Sequence, residues 1–204
     1  MTATPTSIQP RSLAFQVTLF TLIRLVINTA ERMVYPFLAI FARGMSVDLT
    51  AMAVVISTAN ATSGLGPVLG PLADRRGRKF SMLLGLAVFT IGSLAAAFWP
   101  SYATFFISIV AAHVGNVIFL PAMFAYLGDS VPYEKRGTVV AATETSWALA
   151  FVVGVPAAGG LIAAFGWSGP FWALALLGAL GFIGVLLFAD NHRPQQTESA
   201  ARHF

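Results

Sequence analysis

The chain has 204 residues, of which 57% are hydrophobic and only 10% charged. Soluble domains carry about 25% charged residues, so a water-soluble globule of this composition would have no way to cover its apolar surface, whereas a bilayer covers it directly. The 12 Lys and Arg exceed the 8 Asp and Glu, giving a formal charge of +4. Most of the basic residues sit in short loops between apolar runs, which points to membrane topology and away from nucleic acid. There is no cysteine, which excludes disulfide and thiolate chemistry.

A polar tail, residues 1–11, comes first. The apolar run after Arg11 is too long for a signal-peptide core, so no cleaved signal is expected. A membrane-spanning helix needs about 20 mostly apolar residues. Six segments qualify, and together they form a transmembrane domain over residues 12–189. The first is predicted from about Ser12 to Phe41, the second from Thr50 to Leu72, and the third from Phe80 to Phe98. The fourth runs from Tyr102 to Leu127, the fifth from Thr138 to Phe165, and the sixth from Pro170 to Ala189. Helix breakers separate them: Trp99-Pro100-Ser101, Val131-Pro132-Tyr133 and Gly166-Trp167-Ser168-Gly169-Pro170. Trp99, Tyr102, Trp167 and Trp172 stand where interfacial aromatics anchor spans. A polar tail, residues 190–204, ends the chain.

With six spans, Arg11, Arg75, Arg76, Arg78, Lys79, Lys135, Arg136, Arg193 and Arg202 fall on one side and only Arg43 on the other. The positive-inside rule then makes both termini cytoplasmic, in a multi-pass protein of the plasma (inner) membrane.

Ionisable groups within a span are costly, so each is a functional candidate. The first segment carries Arg24, Asn28, Glu31, Arg32 and Tyr35. At helical spacing these share one face, which suits a water-filled cavity or another helix and not lipid. One reading makes the stripe a cavity wall, with Arg for an anionic group and Glu31 for a proton or cation. The other makes it an ion pair, Glu31–Arg24 or inter-helical, that only fixes packing. Pro36 should kink this helix. Glu144, between Thr143 and Thr145 in the fifth segment, is a candidate coupling or gate residue. His113 and Asn116 share a face of the fourth, where His113 suits either titration or packing. Asn60, Thr58, Thr62 and Ser63 read as helix-packing groups. Metal-ligand spacing, a phosphate-binding Gly-rich loop and a nucleophile elbow are all absent, so no metal, no cofactor and no enzymatic activity are expected.

The strongest local signal is Gly70-Pro71-Leu72-Ala73-Asp74-Arg75-Arg76-Gly77-Arg78-Lys79, between the second and third segments. Gly70 allows close helix approach and Gly77 a tight turn. Here the sequence resembles the major facilitator superfamily, whose signature in that loop these residues fit. The stretch from Gly128 through Asp129 to Arg136-Gly137 resembles the family's loop between helices four and five. The resemblance covers about Arg24 to Ala189, one half of a usual twelve-helix member. It implies an all-α polytopic fold, a six-helix half bundle built as a three-plus-three inverted repeat. It also implies a charge cluster of Asp74, Arg78 and Asp129 that helps hold an outward-facing state, with Arg75 and Arg136 in the same gating loops.

Two positions depart from the family pattern. Many members carry an Arg four residues before a Gly in helix four, where this chain has Ala111 before Gly115. Gly154-Val155-Pro156-Ala157-Ala158-Gly159-Gly160 is similar to the antiporter signature, with Val155 in place of a Gly; small-residue helix packing explains these residues equally.

The function expected is secondary active transport, as symporter or antiporter, of a small solute. Two intramembrane arginines suggest an anionic solute, and proton coupling is one option. One six-helix bundle supplies one wall of a cavity, so the expected partners are lipid, a small-molecule substrate, and a second copy of the chain or another six-helix half. A parallel homodimer with Arg24 and Glu31 of both copies around the substrate satisfies the geometry. The alternatives are a non-transporting membrane subunit and an N-terminal half inactive alone.

Overall fold

The computed structural model describes residues 10–71 and 76–189, and among them every regular element is a helix. In chain order these are α1 (Pro10–Met33), α2 (Leu38–Gly44), α3 (Leu49–Ala61), α4 (Gly66–Leu69), α5 (Arg78–Phe98), α6 (Tyr102–Ser130), α7 (Tyr133–Leu149), α8 (Val155–Phe165) and α9 (Gly169–Phe188). A 3₁₀ turn (Thr62–Leu65) links α3 to α4, and a π-helical turn (Ala150–Gly154) links α7 to α8. Five continuous segments are long and apolar enough to cross a bilayer: Leu49–Leu69, α5, α6, Tyr133–Phe165 and α9. The bent pair Ala14–Met33 and Leu38–Gly44 makes the sixth when taken as one span. The six segments expected from the sequence are thus present, with ends displaced by a few residues.

Local chemistry explains the ends. Asp48 caps α3, its side chain accepting from the Ala51 amide at 2.8 Å. Ser101 and Thr104 form a reciprocal capping box that opens α6. Gly77, with φ 96°, turns the chain into α5, the tight turn expected there. Pro36 has no amide hydrogen and its ring clashes with a preceding carbonyl, so α1 stops at Met33 and α2 leaves at 71°. The predicted kink is therefore a full break. Pro156 acts on α8 in a related way. Because residue 156 has no amide to donate, the preceding turn widens, and the Val155 amide reaches back to the Ala150 carbonyl.

Contacts at the two ends of the bundle show the spans running up and down. At one end Gln16 donates to the Phe188 carbonyl at 3.0 Å, and Lys79 to the Leu186 carbonyl at 2.8 Å. At the other, Tyr102 donates to the Ala51 carbonyl at 3.0 Å and the Phe98 and Trp172 rings meet at 4.6 Å. The core between them holds Phe20, Phe41, Phe89, Phe105, Phe119, Phe171 and Tyr126, all essentially inaccessible.

Helix α5 is the centre of the packing. In its most apolar window 56% of residues are buried, against 17% for Leu49–Leu69 and 22% for Tyr133–Phe165. Lipid tails are as apolar as side chains, so helices associate in a bilayer chiefly through close van der Waals contact over small residues. A Cβ added at Gly85 would stand 2.6 Å from the Gly115 carbonyl oxygen, and one at Gly115 would stand 2.6 Å from that of Gly85. Two turns further along α5, a Cβ added at Gly92 would stand 2.6 Å from the Ala111 Cβ, which leaves no room for an Arg at position 111. On α9, Gly178 lies against Phe89 and Thr90, while Gly181 and Gly184 lie against Ile23 and Leu19 of α1.

The expected packing set of α8 holds in part. Gly154 is pressed onto Thr29, and Gly159 onto the Phe37 ring. Gly160 is a correction: its side faces outward, and a Cβ there would meet no atom within 4 Å. Gly70, expected to permit helix approach, instead lies within a helical turn, its amide bonded to the Gly66 carbonyl at 2.7 Å.

Gly85→Val should therefore destabilise the bundle by about 1–3 kcal/mol, the usual cost of overpacking. Gly160→Ala should not lower the unfolding temperature. Thermal unfolding of the two variants in the same detergent checks both.

A polar seam and cavity between α1, α6 and α7

The stripe on α1 divides between two neighbours. Arg24, Asn28 and Arg32, four residues apart, face α7. The Arg24 guanidinium meets the Glu144 carboxylate at 2.7 Å, with Arg24 7% exposed and Glu144 50%. It also lies 5.4 Å over the Phe124 ring. Asn28, buried, donates to the Ser146 hydroxyl at 3.3 Å. Arg32 lies over the Trp147 and Phe151 rings, at 5.3 and 5.7 Å. These three rungs join the two helices side by side. The inter-helical form of the expected ion pair is thus the one observed, with Glu144 and not Glu31 as the partner of Arg24.

Glu31 turns the other way, toward α6, where Asn116 donates to its carboxylate at 2.9 Å. Glu31, Arg32, Tyr35, Asn60, Ser63, His113, Asn116 and Val117 line a polar cavity of about 200 Å³. The sequence-derived set thus converges: Glu31, Arg32, Tyr35, His113 and Asn116 share this cavity, while Arg24, Asn28 and Glu144 form the seam beside it. His113 sits 3.0 Å from the Ile109 carbonyl through Nδ1. Asn60 and Ser63, expected as packing groups, stand on the cavity wall.

The two arginines differ in electrostatic state. Arg24 has a counter-ion. Arg32 has no carboxylate within 4.0 Å among the described residues, and its Nε is buried without a hydrogen-bond partner. Its positive charge lies against two aromatic faces. Trp147 and Phe151 were not singled out in the sequence. They follow Glu144 at three and seven residues, the spacing of one helix face, and that periodicity was the available signal.

At the far end of the bundle Arg78 pairs with Asp129 at 3.0 Å, as the resemblance implied for these two. Asp74 and Arg75, the other loop residues expected there, lie outside the described residues. Arg136 donates to the Val131 carbonyl at 3.1 Å and lies over the Tyr133 ring, tying down the turn between α6 and α7.

A bundle of membrane-spanning helices with buried charges beside a polar cavity is the architecture of a solute-handling membrane protein. Residues 20–203 match the Major Facilitator Superfamily, and the chain belongs to that family. It is 33% identical over 146 residues to the uncharacterized MFS-type transporter YwfA of Bacillus subtilis, covering 71% of this chain and 35% of that protein. It is 29% identical over 160 residues to the inner membrane transport protein YdhP of Escherichia coli, covering 78% of this chain and 41% of that protein. The fold superposes on a crystal structure of the peptide transporter POT in complex with sulfate, with TM-score 0.73 and 18% identity over 87% of this chain and 37% of that one. The chain therefore spans less than half the length of these relatives.

Removing one partner of the seam's ion pair leaves the other as an uncompensated charge. Glu144→Gln should cost about 1–2 kcal/mol, between the values for exposed and buried pairs because Glu144 is half exposed. The double variant Arg24→Met with Glu144→Gln should recover most of that loss. Comparing the unfolding of the three proteins in one detergent checks the pairing.

Proposed function

We propose that this chain forms one half of a secondary transporter that carries a small solute bearing an anionic group by alternating access. The observation that carries the reading is Arg32: a guanidinium on the wall of a polar cavity, within a membrane-spanning helix and with no carboxylate within 4.0 Å among the described residues. An isolated cation at that depth is costly, and an anionic solute removes the cost. Arg24 already has Glu144, so Arg32 and not Arg24 receives the solute.

A second half supports this reading from another direction. Ser57, Asn60, Ser63, Glu144 and Thr145 are exposed on membrane-spanning segments, where lipid contact is unfavourable. The relatives are more than twice as long as the stretch they share with this chain. A second copy related by a twofold axis along the membrane normal, or a separate six-helix half, would cover that face and close the cavity. Both termini lie on the cytoplasmic side in this arrangement, because the basic loops lie there. The Arg78–Asp129 pair then belongs to the cytoplasmic gate, together with Asp74, Arg75 and Arg136. Glu144 is the carboxylate placed to take a coupling proton, since its neutralisation would free Arg24.

Native mass spectrometry from nanodiscs should show two chains per particle; a single chain would direct the search to a partner half. In proteoliposomes of the complete particle, Arg32→Gln should abolish saturable uptake of carboxylate solutes while gel filtration shows intact protein. Undiminished uptake in that variant would remove Arg32 from the site.

A further inference from the structure

Arg32 is not the only ionisable side chain on the cavity wall without an ion-pair contact within 4.0 Å among the described residues. Glu31 lines the same cavity. One carboxylate oxygen accepts from Asn116 at 2.9 Å. No Lys, Arg or His nitrogen lies within 4.0 Å of either oxygen among the described residues, since the ion pairs found are Arg24–Glu144 and Arg78–Asp129. His113 shares the wall, with its Nδ1 at the Ile109 carbonyl. The cavity thus presents one negative and one positive side chain, adjacent in sequence, that do not close on each other.

The reason lies in what holds each of them. Arg32 is drawn toward α7 by the Trp147 and Phe151 rings, Phe151 being carried on the π-helical turn. Glu31 is drawn toward α6 by Asn116. The two side chains are thus held toward different helices. Neighbouring opposite charges at membrane depth would ordinarily neutralise each other. Consecutive helix residues point about 100° apart and do not face each other, and the two anchors keep Glu31 and Arg32 on their separate sides; Tyr35, Asn60 and Ser63, which share the lining, are uncharged. At about 200 Å³ the cavity is smaller than the roughly 300–1,000 Å³ of complete ligand pockets, which suits one wall of a site.

We infer that the solute is a zwitterion, with its carboxylate bound by Arg32 and its ammonium group by Glu31. This deepens the function proposed above and rests on its assignment of Arg32. A carboxylate accepts paired hydrogen bonds from a guanidinium, and an ammonium donates to the free carboxylate oxygen, so one small molecule satisfies both charges. A solute with a single charge leaves one of the two unpaired, and it is rejected for that reason.

Calorimetric titration of the intact particle in nanodiscs tests this. The probes are amino acids of three charge spacings (glycine, β-alanine and γ-aminobutyrate), their amine-free acids (acetate, propionate and butyrate) and the amines of matching length. At least one amino acid should bind tenfold or more tightly than its acid and its amine. Glu31→Gln should erase that preference, bringing the amino acid to the affinity of the acid. An acid that binds as tightly as its amino acid overturns the zwitterion and leaves the anion reading standing. An amine that binds as tightly as its amino acid, or no binding by any probe, overturns both. Equal loss of acid and amino acid in Glu31→Gln would make Glu31 a support of the fold and would also overturn the inference. If that variant does not fold, the comparison of probes on the unaltered protein decides alone.

Discussion

A charge that cannot reach water must find its partner inside the protein, and in this bundle that requirement sets how α1 meets α7. Arg24 takes Glu144, Asn28 takes Ser146, and Arg32 takes the faces of Trp147 and Phe151. Advancing α1 by one residue would shift it about 1.5 Å and rotate every side chain by about 100°. All three rungs would then be lost together. Apolar packing tolerates such slips far better, because any methyl group replaces another. The polar rungs therefore fix the register of α1, and with it the positions of Glu31 and Tyr35 on the cavity wall.

The rest of the bundle is assembled on a different principle. Helices α5 and α6 meet over glycines and Ala111 with backbone nearly touching backbone, and α9 lays its glycines against side chains of α5 and α1, while α3 and α7 keep most of their surface outside the six-helix unit. The close-packed group needs nothing further to be complete. The loosely packed pair carries Ser57, Asn60, Ser63, Glu144 and Thr145 on its open side. One side of the molecule is finished for lipid, and the other is finished only against a second protein surface or water.

Much of this could be read in the sequence, and the reasons differ by element. Length and hydropathy located the spans, because a bilayer imposes a minimum length that few other constraints imitate. Proline chemistry located the break at Pro36, although not its 71° magnitude, which depends on where α2 finds its packing. Helical periodicity grouped Arg24, Asn28, Arg32 and Tyr35, but periodicity on one helix does not say which helix lies opposite. Pairing Arg24 with Glu144 required knowing that α7 crosses α1, a contact between residues separated by 120 positions. For the same reason Trp147 and Phe151 passed as ordinary apolar residues and Asn60 and Ser63 as packing groups. Arg78 and Asp129 were placed correctly because the family resemblance supplied the long-range contact that composition could not.

The crossing of Gly85 and Gly115 has a consequence for how this protein can change over time. Elsewhere in a core, a side chain that grows can be accommodated by a neighbour that shrinks. Here neither neighbour has anything left to give up, since each glycine faces the other's carbonyl oxygen. No compensating substitution exists at either position. Variation in the bundle is therefore absorbed more easily at α3 and α7, which keep most of their surface outside the six-helix unit.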